Sequence, residues 1–71
     1  MKAIFVGGTH HNTTKDITNA NPSLLMTPAN ESKEKECYSL TAVKNKDGLL
    51  YAVYQHALSS QSQVNEILKQ F

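Results

Sequence analysis

The side chains that could do chemistry in this chain are few: three histidines, a single cysteine, and a Gly-Gly pair directly behind an apolar run in IFVGGTHHN, Ile4 to Asn12. A strand feeding a glycine turn is how many phosphate-binding loops begin, because glycine lets backbone amides approach an anion. Such a loop must then open a helix whose first amides complete the cradle. Here Gly7-Gly8 leads into His, Asn and Thr residues through Thr14, which are poor helix formers together, and no third fingerprint glycine or Gly-Lys-Ser/Thr sequence follows. The pair reads instead as a turn that needs positive φ. His10 and His11 are neighbours, and neighbours on an extended chain point to opposite sides, so they chelate one ion poorly. Cys37 with His56 is the one pairing of nucleophile and base to weigh, and the hairpin register below sets the two on opposite faces. No catalytic residue, metal site or cofactor is expected.

These residues must be positioned by one small domain, since 71 residues supply a single core, with residues 1–58 as a sheet and 59–71 as a terminal helix. Lys2 to Val6 is a short continuous apolar run, the pattern of a strand buried on both faces and central in its sheet. Thr13 to Thr18 and Ser23 to Thr27 read as strands joined by the turn residues Asn19 to Pro22, forming an outer hairpin. Pro28 to Glu36, PANESKEKE, reads as a solvated loop. Asn45-Lys46-Asp47-Gly48 closes a hairpin, expected as a three-residue loop that pairs Asn45 with Leu49, Val43 with Tyr51, Thr41 with Val53 and Ser39 with Gln55. That register places Tyr38, Leu40, Ala42, Leu50, Ala52 and Tyr54 on one face and Val43, Leu49, Tyr51 and Val53 on the other. Apolar residues on both faces require a strongly curved sheet or two coverings, and a homodimer is one way to supply the second. Val64, Ile67, Leu68 and Phe71 form one helical stripe behind Ser60 and Gln63, which have the spacing of a capping box. The expected fold is α+β: a small, mainly antiparallel, curved sheet of four to five strands with one C-terminal helix packed on it.

Composition narrows the function. Seven lysines, no arginine and six acidic residues give a net charge of +1, with the signs interleaved. This does not steer the chain to nucleic acid, and arginine, the usual residue for bidentate phosphate and guanine contacts, is missing. One cysteine excludes an internal disulfide and fits a reducing compartment. The apolar residues near the N-terminus are too few for a signal segment or a membrane span, so a cytoplasmic chain without a membrane partner is expected.

Two resemblances bear on the same stretch. Ile4 to Asn12 opens like nucleotidyltransferases, whose early loop carries a histidine near bound phosphates, but the likeness stops after a few residues. More of the chain, loosely Met1 to Leu58, resembles small uncharacterised proteins of bacteriophages and prophages. Those chains carry a strand followed by Gly-Gly-Pro-x-x-Gly and a late hairpin with Tyr-x-Leu and Tyr-x-x-Tyr. The counterparts are Gly7 to Asn12, Tyr38-Ser39-Leu40 and Tyr51 to His56, with Thr9 in place of the proline and Asn12 in place of the second turn glycine. The resemblance implies an accessory phage or prophage protein in a bacterial cytoplasm and brings no activity or functional residues with it. The expected function is a non-enzymatic protein-protein interaction module binding a host or phage protein, with a homodimer as one form it can take. The candidate surface is the His10, His11, Asn12 loop or a sheet face bearing Tyr38 and Tyr54. The alternative is a small nucleic-acid binder using Lys2, Lys15, Lys33, Lys35, Lys44 and Lys46 on one rim.

Overall fold

The computed structural model describes residues 1–30 and 34–71. The strands are β1 (Lys2–Val6), β2 (Thr14–Asp16), β3 (Ser23–Met26), β4 (Glu36–Lys46) and β5 (Leu49–His56), followed by one helix, α1 (Gln61–Leu68). They form a single sheet in the order β2-β1-β5-β4-β3. The α+β class and the terminal helix match the sequence reading, but the sheet is mixed because β1 runs parallel to β5, with Lys2 opposite Tyr51 and Val6 opposite Gln55. A short, uninterrupted apolar strand covered on both faces is what parallel pairing favours. Ala3 to Val6 are all at most 4 % exposed.

The expected outer hairpin of residues 13–27 does not form. β2 pairs antiparallel with β1 at one edge and β3 pairs antiparallel with β4 at the other. The connection 17–22 therefore has to cross one face of the sheet. At ~4.8 Å per strand spacing, four spacings would be about 19 Å across a flat sheet, near the roughly 24 Å reach of seven extended peptide steps. Curling brings the edges within easier reach. The crossing segment is pinned by Ile17 N donating to Met1 O, Leu40 N donating to Pro22 O, and the Tyr54 hydroxyl donating to Asn21 O at 2.7 Å.

The hairpin of β4 and β5 is present with a tighter turn than expected. Asp47 and Gly48 have φ of 53° and 83°, and Lys46 pairs with Leu49, so the loop has two residues with positive φ at both. This is the turn whose twist suits a two-residue hairpin. The register near the tip is consequently one step off: Asn45 meets Leu50 and Val43 meets Ala52. An irregularity between Leu40 and Ala42 then absorbs one residue, and the expected Ser39–Gln55 pair is restored. The irregularity also exchanges Ala42 and Val43 between faces.

Two apolar clusters result, one on each face. Ala3, Phe5, Tyr38, Ala52 and Tyr54 pack under the crossing connection with Ile17, Ala20 and Leu24. Ile4, Val6 and Val53 pack against Val64 and Ile67 of the helix, with Ala42, Leu68 and Phe71 at the margin. The helix begins at a complete capping box: Ser60 Oγ accepts from Gln63 N, and the Gln63 side chain accepts from Ser60 N. Its stability comes from burying Val64 and Ile67, since eight residues are too few to hold a helix in water.

Candidate functional site

A gathering of polar side chains sits where β1 ends. Gly7 and Gly8 have φ of 78° and 66°, as the turn reading required, and the second also has no room for a side chain. A Cβ on Gly8 would collide with the Tyr38 hydroxyl and lie 2.7 Å from His56 Cδ2. The turn presents the Thr9 amide and hydroxyl to an anion, while Gly7 N is taken by His11 Nδ1. The anion here is the chain's own Glu36. Its Oε1 accepts from Thr9 N at 3.1 Å, and its Oε2 accepts from Thr9 Oγ1 at 2.8 Å. Tyr38 Oη lies 3.3 Å from Oε2, donates to Gly7 O at 2.8 Å, and accepts from His10 N at 3.4 Å. His56 Nε2 lies 3.9 Å from Glu36 Oε1.

The His56 tautomer follows from its other nitrogen. Nδ1 accepts from Leu58 N at 3.1 Å, which leaves the hydrogen of the neutral ring on Nε2, toward the carboxylate. Burial pushes the Glu36 carboxyl upward, but the Thr9 amide and hydroxyl, the neighbouring His56 and the Tyr38 hydroxyl together hold it below the ordinary value of 4.5. Burial raises the Tyr38 phenol, and the adjacent Glu36 raises it further, against the lowering by the His10 amide. Beside the cluster opens a groove of about 360 Å³, lined by Pro28, Lys35, Glu36, Cys37, His56 and Leu58 among others.

The histidine pair turns inward to the chain. His11 Nδ1 accepts from Gly7 N at 2.7 Å, and His10 Nε2 donates to Thr27 O at 2.6 Å. Asn12 has φ of 62°, and its Oδ1 accepts from Gln70 at 3.3 Å. All three fasten the loop to β1, to the segment after β3 and to the end of α1. Tyr38 and Tyr54, taken from sequence as an exposed face, are both 0 % exposed, so they serve the core and not a contact surface. The connection 17–22 holds Tyr54 through Asn21 O, and the Gly7–His10 loop holds Tyr38. Glu36 was absorbed into the solvated run Pro28 to Glu36; instead it begins β4, and Pro28 is buried, while residues 31–33 of that run lie outside the described residues. The signal that could have found Glu36 is its spacing of two from Tyr38 on one strand face, opposite His56 in the hairpin register.

Among the described lysines, Lys2 and Lys44 flank Tyr51 in one cross-strand row, but several are engaged within the chain. Lys2 is paired with Asp16 at 2.8 Å, Lys35 donates to Thr27 Oγ1, Lys46 lies over the Phe71 ring, and Lys33 lies outside the described residues. No group of three or more His, Cys, Asp or Glu side chains among the described residues could hold a metal ion. No described helix is long and apolar enough to cross a membrane.

Of the exposed large apolar side chains, Leu25 on β3 and Leu58 after β5 are 70 % and 89 % exposed, and Val43, Leu49 and Leu50 are grouped toward the hairpin tip. β3 pairs with β4 only from Glu36 to Ser39, and β1 pairs with β5 only from Tyr51 onward, so Asn45 to Leu50 form a two-stranded arm with Val43 at its base, opposite Ala52. At ~3.3 Å per residue the eleven residues of β4 span roughly 35 Å, close to the 37 Å length of the molecule. On the helix side Phe71 braces the base of the arm against Tyr51, with ring centroids 5.2 Å apart. On the other face Val43 and Leu50 are diagonal neighbours, 48 % and 46 % exposed. Comparisons with protein-family models, with curated proteins and with solved structures find no match.

Proposed function

We propose that the chain is a non-enzymatic protein-protein interaction module that docks through the bare face of its hairpin arm. The observation that supports this reading is that Val43, at the base of the arm, and Leu50, past both neighbouring strands, lie diagonally on one face and are both about half exposed. A two-stranded ribbon is marginal in water, and apolar side chains on its open face gain most when a partner covers them. The free edges carry Lys44 and Lys46 and an irregularity near Thr41, devices that discourage edge-to-edge pairing. The face, not the edge, is therefore the binding element. The polar cluster at Glu36 contributes rigidity: its donors and acceptors are spent on one another, and Cys37 faces away from Tyr38 and His56 along the strand.

The resemblance to phage and prophage proteins supports an accessory role against a bacterial or phage protein in the cytoplasm, and a second copy of the chain is the simplest partner. Engagement of Lys2, Lys35 and Lys46 by partners within the chain weighs against the nucleic-acid alternative, whose affinity would have to fall steeply with salt. The test is capture with immobilised wild-type protein and with a Val43→Thr, Leu50→Thr variant, which keeps strand-compatible side chains. The same partner should be retained by the wild type and reduced tenfold or more by the variant, as expected from removing one to two buried aliphatic groups. Sedimentation of both proteins reads the homodimer in the same way. Equal capture by both, or a wild type that stays monomeric and retains nothing, contradicts the proposal.

A further inference from the structure

We infer that the Gly7–His10 loop, together with Tyr38 and His56, is a carboxylate-binding site that the chain fills with its own Glu36. Several observations converge on that group. Thr9 N and Thr9 Oγ1 each donate to a different Glu36 oxygen, at 3.1 and 2.8 Å. Tyr38 Oη stands 3.3 Å from Oε2 and His56 Nε2 stands 3.9 Å from Oε1. The two left-handed glycines turn the chain so that Thr9 faces the carboxylate, and Gly8 is packed too tightly for any side chain. The donors are themselves fixed from behind: Thr9 Oγ1 accepts from Ala29 N at 2.8 Å, and Tyr38 is held by Gly7 O. A site whose donors are positioned by other contacts stays formed when its ligand leaves. The Glu36 backbone is held in β4 opposite Met26, independently of its carboxylate, and the groove of about 360 Å³ beside it gives solvent a route in. A strand and glycine turn that resemble the start of an anion-binding loop thus do bind an anion, supplied in cis. The ligand class is a carboxylate of acetate size, and an outside carboxylate can enter only where Glu36 is absent.

Glu36→Ala removes the terminal methylene and the carboxylate, and acetate restores the same atoms. Thermal unfolding of Glu36→Ala in increasing sodium acetate, against sodium chloride at equal ionic strength, should show a saturable rise in Tm of roughly 5 °C or more once acetate reaches about ten times its Kd. Formate should act similarly, and the bulky trimethylacetate should not. Adding Thr9→Ala should weaken the acetate response fivefold or more. Glu36→Gln, whose amide occupies the same space, should fold and ignore acetate, as should the wild type. If Glu36→Ala is unfolded without ligand, the same titration is read as acetate-induced folding by circular dichroism. A response no larger than that to chloride, an equal response in Glu36→Gln or the wild type, or a failure of acetate to restore the fold overturns the inference.

Discussion

Gly8 and Gly48 share a positive φ, at 66° and 83°, but differ in what surrounds them. A Cβ on Gly48 would meet nothing within 4 Å, whereas one on Gly8 would enter the Tyr38–His56 cluster. Gly48→Ala should therefore cost about 1 kcal/mol, the strain of a left-handed L-residue alone. Gly8→Ala should cost distinctly more, about 2–3 kcal/mol, because strain and displaced neighbours act together. Urea midpoints of the two variants decide this, and similar losses would show that the cluster yields freely around Gly8. Glu36 makes a separate prediction. Its folded-state carboxyl is held low, so its contribution is complete above the ordinary value of 4.5 and disappears as pH falls through the folded value. Glu36→Gln should flatten the acid limb of the stability-pH curve without removing it, because Asp16, lowered by its hydrogen bond and charge contact with Lys2, continues to titrate. An unchanged acid limb would mean that the carboxylate contributes nothing as an anion.

At the level of elements, α1 shows how local chemistry and packing divide the work. Ser60→Ala removes the side-chain half of the capping box and should cost about 1 kcal/mol. Ile67→Ala empties a site 2 % exposed in the cluster with Ile4, Val6 and Val53, and should cost about 2–5 kcal/mol, while the adjacent Glu66→Ala should change stability little. Denaturant melts of the three variants give the ranking, and equal losses at Ile67 and Glu66 would mean that the helix is frayed from the sheet. The helix was legible in the sequence because its stripe, cap and boundaries are all written within twelve residues. β1 was legible too, as an apolar run covered on both faces. Its parallel pairing with β5 was not, since that partner is chosen by closure of the whole sheet and not by residues near Lys2. The separation of β2 and β3 was hidden for the same reason: Asn19 to Pro22 suit a tight turn and a crossing strap equally. The one-step register error at Asn45 came from a choice between two turns that Asp47-Gly48 both permit. The irregularity near Thr41 cancels that error only further along, which is why Ser39 and Gln55 were paired correctly and Val43 was given the wrong face.

Across the whole molecule, the two faces of one curled sheet are closed by different means. The helix covers Ile4, Val6 and Val53, and the connection 17–22 covers Phe5, Ala52 and Tyr54. Neither reaches the hairpin arm. The candidate site was legible only in part: the glycine turn was located and its positive φ anticipated, but its carboxylate lies 27 residues away at Glu36 and became visible only when β4 was placed beside β5. The apolar arm was invisible because Val43 and Leu50 join one face only through the tighter two-residue turn. Its role as the docking element is tested most directly by placing a photo-activatable cross-linking residue at Leu50, with Lys15 on β2 as the control position, and irradiating the protein in bacterial lysate and alone at high concentration. The account predicts a discrete adduct from position 50, to a second protein or a second copy, and none of the same mass from position 15. Adducts that are absent from position 50, or identical from both positions, would contradict it.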